Sequence, residues 1–240
     1  MVEKKITLSM ITFFYNESRD ILDYLKIVTE KFTLAAAEYD FDFEIILVDD
    51  GSTDNSRNIV SDFISSHPHI NMKLHSYAQN KGIGHALIQG LNLCGKDYIF
   101  WNDIDMHFDI SDIEKILPLL NPDTIVVGHK NNLRYKQFFP WLVSRTNYYL
   151  LKTIFFWKIK DFQFVQFYPA HYIKNVDIIS RSSLIPCELL TRSKQKNLKV
   201  IQVPLHYYSP GNGRESKCMN IKNIYFALRD IVKLKLGLMQ

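Results

Sequence analysis

The stretch FEIILVDDGSTD, Phe43–Asp54, decides how the rest of the chain is read. Ile45–Val48 are apolar without alternation, the pattern of a strand covered on both faces. Asp49 and Asp50 then precede Gly51, which permits a tight or positive-φ turn, and Ser52, Thr53, Asp54 and Asn55 suit the cap of a following helix. Turn and capping chemistry explains part of this loop. It does not explain two adjacent acids directly after a buried strand, where one is enough to end it.

Working outward, the same unit repeats. Ile6–Asn16 reads as a buried strand, followed after Ser18 by a helical stripe at Ile21, Leu22, Leu25, Val28 and Phe32. Downstream, Ile59, Val60 and Phe63 mark a second helix, Met72–Tyr77 a third strand and Ile83–Leu93 a third helix. Asp97–Trp101 is the fourth strand, Ile113–Leu120 a helix and Thr124–Gly128 a fifth strand. Strand, turn and helix units of this length predict an α/β fold, a doubly wound and mostly parallel sheet with helices on both faces. Ligands of such sheets sit at the carboxyl ends of the strands, where the polar motifs fall.

Neither GxxxxGK[ST] nor an initial GxGxxG is present, which disfavours a P-loop nucleotidase and a dinucleotide enzyme. A second acidic strand end, NDIDMH at Asn102–His107, follows the fourth strand. Residues two apart in an extended segment point to one side, so Asp103 and Asp105 face a common ligand. Hard oxygen donors of this kind suit Mg²⁺ or Mn²⁺ shared with a diphosphate. An ion there neutralises charge on a departing nucleoside diphosphate. His107 is either an additional ligand or an ordinary histidine.

Length and composition bound the rest. The 240 residues are 47% hydrophobic, enough for one core or a core with a small lobe, and too apolar for a disordered chain. Three scattered cysteines, Cys94, Cys187 and Cys218, argue against a disulfide scaffold, and MVEKKITLSM carries no secretory pattern; a reducing cytoplasm is expected. Net charge is +4, but residues 1–123 hold 20 acids against 10 Lys and Arg, and residues 124–240 hold 19 Lys and Arg against 5 acids. A basic second half suits an anionic substrate or an anionic membrane surface, or merely balances the acidic half.

That second half is also aromatic, with fourteen Phe, Tyr or Trp residues from Tyr135 to Tyr172, in FFPW (Phe138–Trp141), YYLLKTIFFW (Tyr148–Trp157) and FQFVQFY (Phe162–Tyr168). No uncharged stretch reaches 18 residues, so a transmembrane helix is not expected. Aromatics interleaved with Lys and Arg predict a segment lying in the headgroup layer or a pocket for an apolar tail with a phosphate head. The competing reading is an aromatic core lid. A nucleic-acid platform is disfavoured by the ten net negative charges of the first half.

Taken in order, these motifs resemble family 2 glycosyltransferases of the GT-A fold, and within them the dolichyl- or polyprenyl-phosphate sugar transferases. The strand ending YNE matches Tyr15, Asn16 and Glu17, and VDDGSTD is complete at Val48–Asp54. The family's N-x-G-x-G appears as Asn80, Gly82 and Gly84, its D-x-D-L as Asp103–Met106, and its VVGSR as Val126–Lys130. The resemblance implies nucleotide-sugar contacts at Tyr15, Asn16, Glu17, Asp49, Asp50, Asn80, Gly82, Gly84 and Asp103, with the base on Asp50 or Asp49. It implies metal and diphosphate on Asp103 and Asp105, and a single displacement that inverts the anomeric centre. It thins after Gly128: Phe164-Val165-Gln166 stands where the family has a small residue, glycine and an aromatic, and Pro210 stands near its usual arginine.

The acceptor remains open between two chemistries. A sugar hydroxyl needs a general base, for which Asp161 is the candidate. A lipid phosphate needs positive positioning groups instead, for which Lys130, Arg134, Arg214 and Lys217 are the candidates. The expected activity is transfer of one sugar from a GDP-mannose- or UDP-glucose-type donor to a polyprenyl or dolichyl phosphate, the alternative a hydroxyl of a polysaccharide or glycolipid precursor. Residues 1–130 are assigned to donor and metal, and residues 131–240 to acceptor and membrane contact within the same domain. The expected location is peripheral, at the cytoplasmic face of a membrane.

Overall fold

The computed structural model describes residues 5–104, 108–131, 148–149, 151–153, 158–162, 164–182, 184–207, 229–234 and 237. Strands β1 (Thr7–Phe14), β2 (Asp42–Asp49), β3 (Met72–Ser76), β4 (Tyr98–Trp101), β5 (Thr124–Lys130), β6 (Gln166–Pro169) and β7 (Lys199–Leu205) form one sheet. Their spatial order is β3-β2-β1-β4-β6-β5-β7. All neighbours pair in parallel except β6, which runs antiparallel to both β4 and β5. The carboxyl ends of the six parallel strands and the amino end of β6 therefore share one edge.

The unbroken apolar runs follow from burial on both faces. In β1, Leu8, Met10 and Phe14 join one core with helix α1 (Ile21–Tyr39), whereas Ile11 joins the opposite core with α3 (Ile83–Leu93). In β2, Ile45 and Leu47 face the first core and Ile46 and Val48 the second. Helix α1 presents Ile21, Leu25, Val28, Phe32 and Ala35 at helical spacing, and ends on Asp40 in the left-handed conformation at φ 49. Helix α2 (Ser56–Ser66) lies beside it with Val60 and Phe63 buried. On the other face, α3 is joined by α4 (Ile185–Gln195), an element that periodicity did not disclose.

Two expectations are corrected. The helix expected at Ile113–Leu120 is two 3₁₀ turns, Ile110–Lys115 and Leu117–Leu119. Pro118 lacks the N–H that a continuous helix needs, and the Asp109 side chain caps the first turn by accepting from the Ser111 N–H. The aromatic stretch Phe162–Tyr168 is interior and not a membrane face: Phe162, Phe164, Val165, Phe167 and Tyr168 are buried. Phe167 stacks on Phe100 of β4 at 4.4 Å, and Tyr168 on Trp101 at 5.6 Å. Density of aromatics here reflects a strand inserted between two others, with large side chains needed on both faces.

Within Phe138–Trp157 only residues 148–149 and 151–153 are described, all helical; Leu151 is buried and Tyr149 exposed. Of the tail, residues 229–234 are helical, with Asp230 and Leu234 buried against the body of the fold. No described helix is long and apolar enough to cross a membrane.

Candidate active site

Three loops meet at the shared edge, and backbone hydrogen bonding fixes each to the next. Asn16, two residues past the end of β1, sits in the left-handed region at φ 53. Its side-chain oxygen accepts from the Thr53 and Asp54 N–H groups at 2.8 and 3.3 Å. In return, the Asn16 N–H donates to the Ser52 hydroxyl at 3.0 Å and the Glu17 N–H to that of Ser56 at 2.8 Å. Ser18 N–H donates to Asp54 at 3.0 Å. Burial pushes the Asp54 carboxyl up, but the bonds from Ser56 and Ser18 outweigh it and draw it down to about 2. The loop after β1 is thus zipped onto the loop after β2.

The second loop grips the third. Asp50, 5% exposed, accepts the Lys81 N–H at 2.8 Å on one oxygen and the Gly82 N–H at 2.9 Å on the other. Burial raises its pKa despite those two bonds, and the neighbouring Asp49 raises it further. Asp49 is buried too; Oδ1 accepts the Ser52 N–H at 2.8 Å, while Oδ2 has no hydrogen-bond partner among the described residues. Gly51 is required: at φ 77, a Cβ there would stand 2.4 Å from the Gln79 carbonyl carbon. Gly82 takes φ 90 as the chain enters α3. Gly84 is buried where a Cβ would fall 2.2 Å from the Arg181 carbonyl oxygen. Asn80 and Tyr15 are exposed beside these loops.

After β4, Asn102 closes a small ring, donating to the Phe108 carbonyl at 3.2 Å and accepting its N–H at 3.3 Å. Its own carbonyl accepts from the hydroxyls of Thr12 at 2.9 Å and Tyr24 at 3.3 Å. Asp103 is the first residue inside that ring and is half-buried. Burial, and after it the Asp103 charge, raises the Tyr24 hydroxyl well above its ordinary range. Asp105 and His107 lie outside the described residues, and among the described residues no three potential ligands cluster. Nothing in the sequence signalled the Asn102 clamp except its place directly before the acidic pair.

Farther along the edge, Lys130 ends β5, and the segment before β6 brings Asp161 to it at 3.6 Å. With strands spaced about 5 Å apart, Lys130 stands two strands, about 10 Å, from the end of β4. The ammonium also lies over the rings of Tyr207 at 4.8 Å and Phe164 at 5.4 Å. Asp161 is not a bare acid in a lid, because its other oxygen accepts the Phe164 N–H at 3.2 Å. His129, beside them, is pushed down by burial and by Lys160, whose ammonium is 3.4 Å from its Nε2. Arg134, Arg214 and Lys217 lie outside the described residues. Sequence reasoning reached Lys130 and Asp161 separately and missed that they touch, since thirty residues separate them.

The edge thus offers, in strand order, buried carboxylates at β2, a carboxylate beyond β4, and a caged lysine–aspartate pair at β5 and β6. The Glycosyl transferase family 2 pattern matches residues 9–181, well over half the chain. The chain belongs to glycosyl transferase family 2. It is 30% identical over 138 residues to a dolichyl-phosphate beta-glucosyltransferase of Dictyostelium discoideum, covering 53% of this chain and 41% of that protein. It is 25% identical over 208 residues to an undecaprenyl-phosphate 4-deoxy-4-formamido-L-arabinose transferase of an Enterobacter species, covering 86% and 61%. This family 2 chain therefore spans about two fifths of the length of the first of these relatives and about three fifths of the second. Among solved structures, a mannosyltransferase from Pyrobaculum calidifontis in complex with GDP-Man and Mn²⁺ superposes with a TM-score of 0.64 at 17% identity, over 88% of this chain and 59% of that one. The last likeness concerns the fold alone, and it is a GT-A fold.

Proposed function

We propose that this chain transfers one sugar, with inversion, from a nucleotide sugar to a polyprenyl phosphate. The observation that carries the reading is the latched edge itself. Asp50 fixes the Lys81–Gly82 turn at one end of a continuous row, and Lys130 presents a cation at the other. The two dolichyl- and undecaprenyl-phosphate relatives support the same acceptor class.

In this reading Asp50 or its neighbour Asp49 receives the base of the nucleotide sugar. Asp103 and Asp105 would hold a divalent cation; carboxylate oxygens are the donor chemistry that Mg²⁺ or Mn²⁺ takes. When bound, that ion stabilises the negative charge of the departing nucleoside diphosphate. The acceptor phosphate oxygen is already anionic and attacks the anomeric carbon as the bond to the diphosphate breaks, the electron pair leaving with the diphosphate. No proton needs removal. Lys130 draws the acceptor phosphate, and its cage holds the ammonium in place before substrate arrives. No described helix is long and apolar enough to cross a membrane; in this reading the basic second half makes the contact with an anionic membrane surface.

One observation favours a second reading. Asp161 is held by the Phe164 N–H and by Lys130 in the segment that leads into β6, an orientation suited to a general base for a hydroxyl acceptor. Transfer rates at saturating donor separate the two. With a short-chain polyprenyl phosphate, Lys130→Gln is expected to lose activity and Asp161→Asn to retain most of it. With a hydroxyl-bearing glycolipid as acceptor, a loss of about 10²–10⁴ in rate for Asp161→Asn, with Lys130→Gln active, would establish the hydroxyl reading instead.

A further inference from the structure

A second grip on the nucleotide loop lies outside the motifs. Residues 179–181 have three consecutive backbone N–H groups that end on fully buried carboxylates. Glu188 of α4 accepts from Ile179 at 2.9 Å and Ser180 at 2.8 Å, and Asp230 of the C-terminal helix accepts from Arg181 at 2.9 Å. Asp230 is 0% exposed and is neutralised by the Arg229 guanidinium at 3.1 Å. The segment so held presses its Arg181 carbonyl against Gly84 in the first turn of α3, so closely that a Cβ at Gly84 would fall 2.2 Å from that oxygen. Two residues earlier, the Gly82 N–H is the one held by Asp50.

We propose that Asp230 is a positioning residue for nucleotide binding: through Arg181 it braces the start of α3 from behind while Asp50 holds the same turn from the front. A folding role alone does not require this placement. A buried carboxylate needs several partners to offset its desolvation, and here one partner is the N–H of Arg181, the residue whose carbonyl abuts the first turn of α3. The inference makes the C-terminal helix part of the donor site, although it comes about 180 residues after VDDGSTD in the chain. It rests on the donor reading above for its consequence, but not for the mechanical link.

Hydrogen exchange on the full chain reads the link without any ligand. Asp230→Ala is expected to speed exchange across residues 79–84 by about tenfold or more, with β1 and β2 still protected. Asp230→Asn, which keeps a carbonyl acceptor, should restore most of the protection. Unchanged exchange at 79–84 in Asp230→Ala overturns the link. Should that variant not fold, Gly84→Ala strains the contact from the other side and should loosen 179–182; unchanged exchange there is equally decisive. The positioning role is read kinetically, with donor KM expected to rise about tenfold in Asp230→Ala while kcat stays within about twofold and Asp230→Asn stays near wild type. Loosened exchange with an unaltered donor KM overturns that role. A wild type that binds neither GDP nor UDP with Mn²⁺, with exchange at 79–84 still faster in Asp230→Ala, removes the donor reading and leaves the brace.

Discussion

At the residue scale, the site is organised by carboxylates that accept from backbone amides. Asp50, itself buried, holds two such amides in the Lys81–Gly82 turn, so Asp50→Ala removes the acceptor of both. The expected loss is about 1–3 kcal/mol of stability per amide, read from urea unfolding, together with loss of nucleotide binding. An Asp50→Ala protein as stable as wild type would show that the turn is held by something else. Asp54 works at the surface and in the opposite electrostatic sense. Its folded pKa, about 2, lies below its ordinary 3.8. The loop latch it provides is therefore complete above about pH 4 and is lost as pH falls toward 2. An NMR titration should place the Asp54 midpoint near 2, with Asn16–Ser18 amides exposed to exchange below it; a midpoint near 3.8 would deny the latch.

At the scale of elements, β6 and β7 are where sequence and packing part company. Five of the six parallel strands, β1 to β5, were legible because helices on both faces force unbroken apolar runs, as in Ile45–Val48. Strand β6 was not, since a four-residue strand rich in aromatics has the same composition as a membrane-facing or lid segment. Only pairing with β4 and β5 distinguishes it. Helix α4 was missed because Pro186 and a polar face interrupt its pattern, and the 3₁₀ turns were read as one helix across Pro118. The donor motifs were legible from their order along the chain, whereas the Asn102 ring, the Lys130 cage and the Asp230 brace join residues too distant in sequence to signal one another. Two substitutions test the packing. Gly128→Ala puts a Cβ 2.6 Å from Leu205 and 2.8 Å from Val165, an overpacking expected to lower stability by about 1–3 kcal/mol. Phe167→Ala should lower it by about 3–5 kcal/mol, and leave vesicle binding of the folded protein unchanged. Weakened vesicle binding with intact stability would return that stretch to the membrane.

At the scale of the whole molecule, the acidic first half and the basic second half share one sheet, because β6 inserts between β4 and β5. Electrostatic attraction to a lipid surface then falls to the basic residues after 124, including those of the stretch 132–147. The expected result is reversible sedimentation with vesicles containing anionic lipid, weakening as salt shortens the screening length to about 10 Å at 0.1 M. Complete recovery in the supernatant at low salt would contradict peripheral attachment. Membrane contact and acceptor chemistry both depend on a donor site at the strand edge, so the central claim is the metal-dependent binding of a nucleoside diphosphate there. Isothermal titration of GDP and UDP, with and without Mn²⁺, into wild type, Asp103→Asn and Asp105→Asn tests it most directly. The account predicts Mn²⁺-dependent binding in wild type that Asp105→Asn abolishes and Asp103→Asn weakens, with thermal melting nearly unchanged in both. Equal affinity in wild type and both variants, with or without the metal, would contradict it.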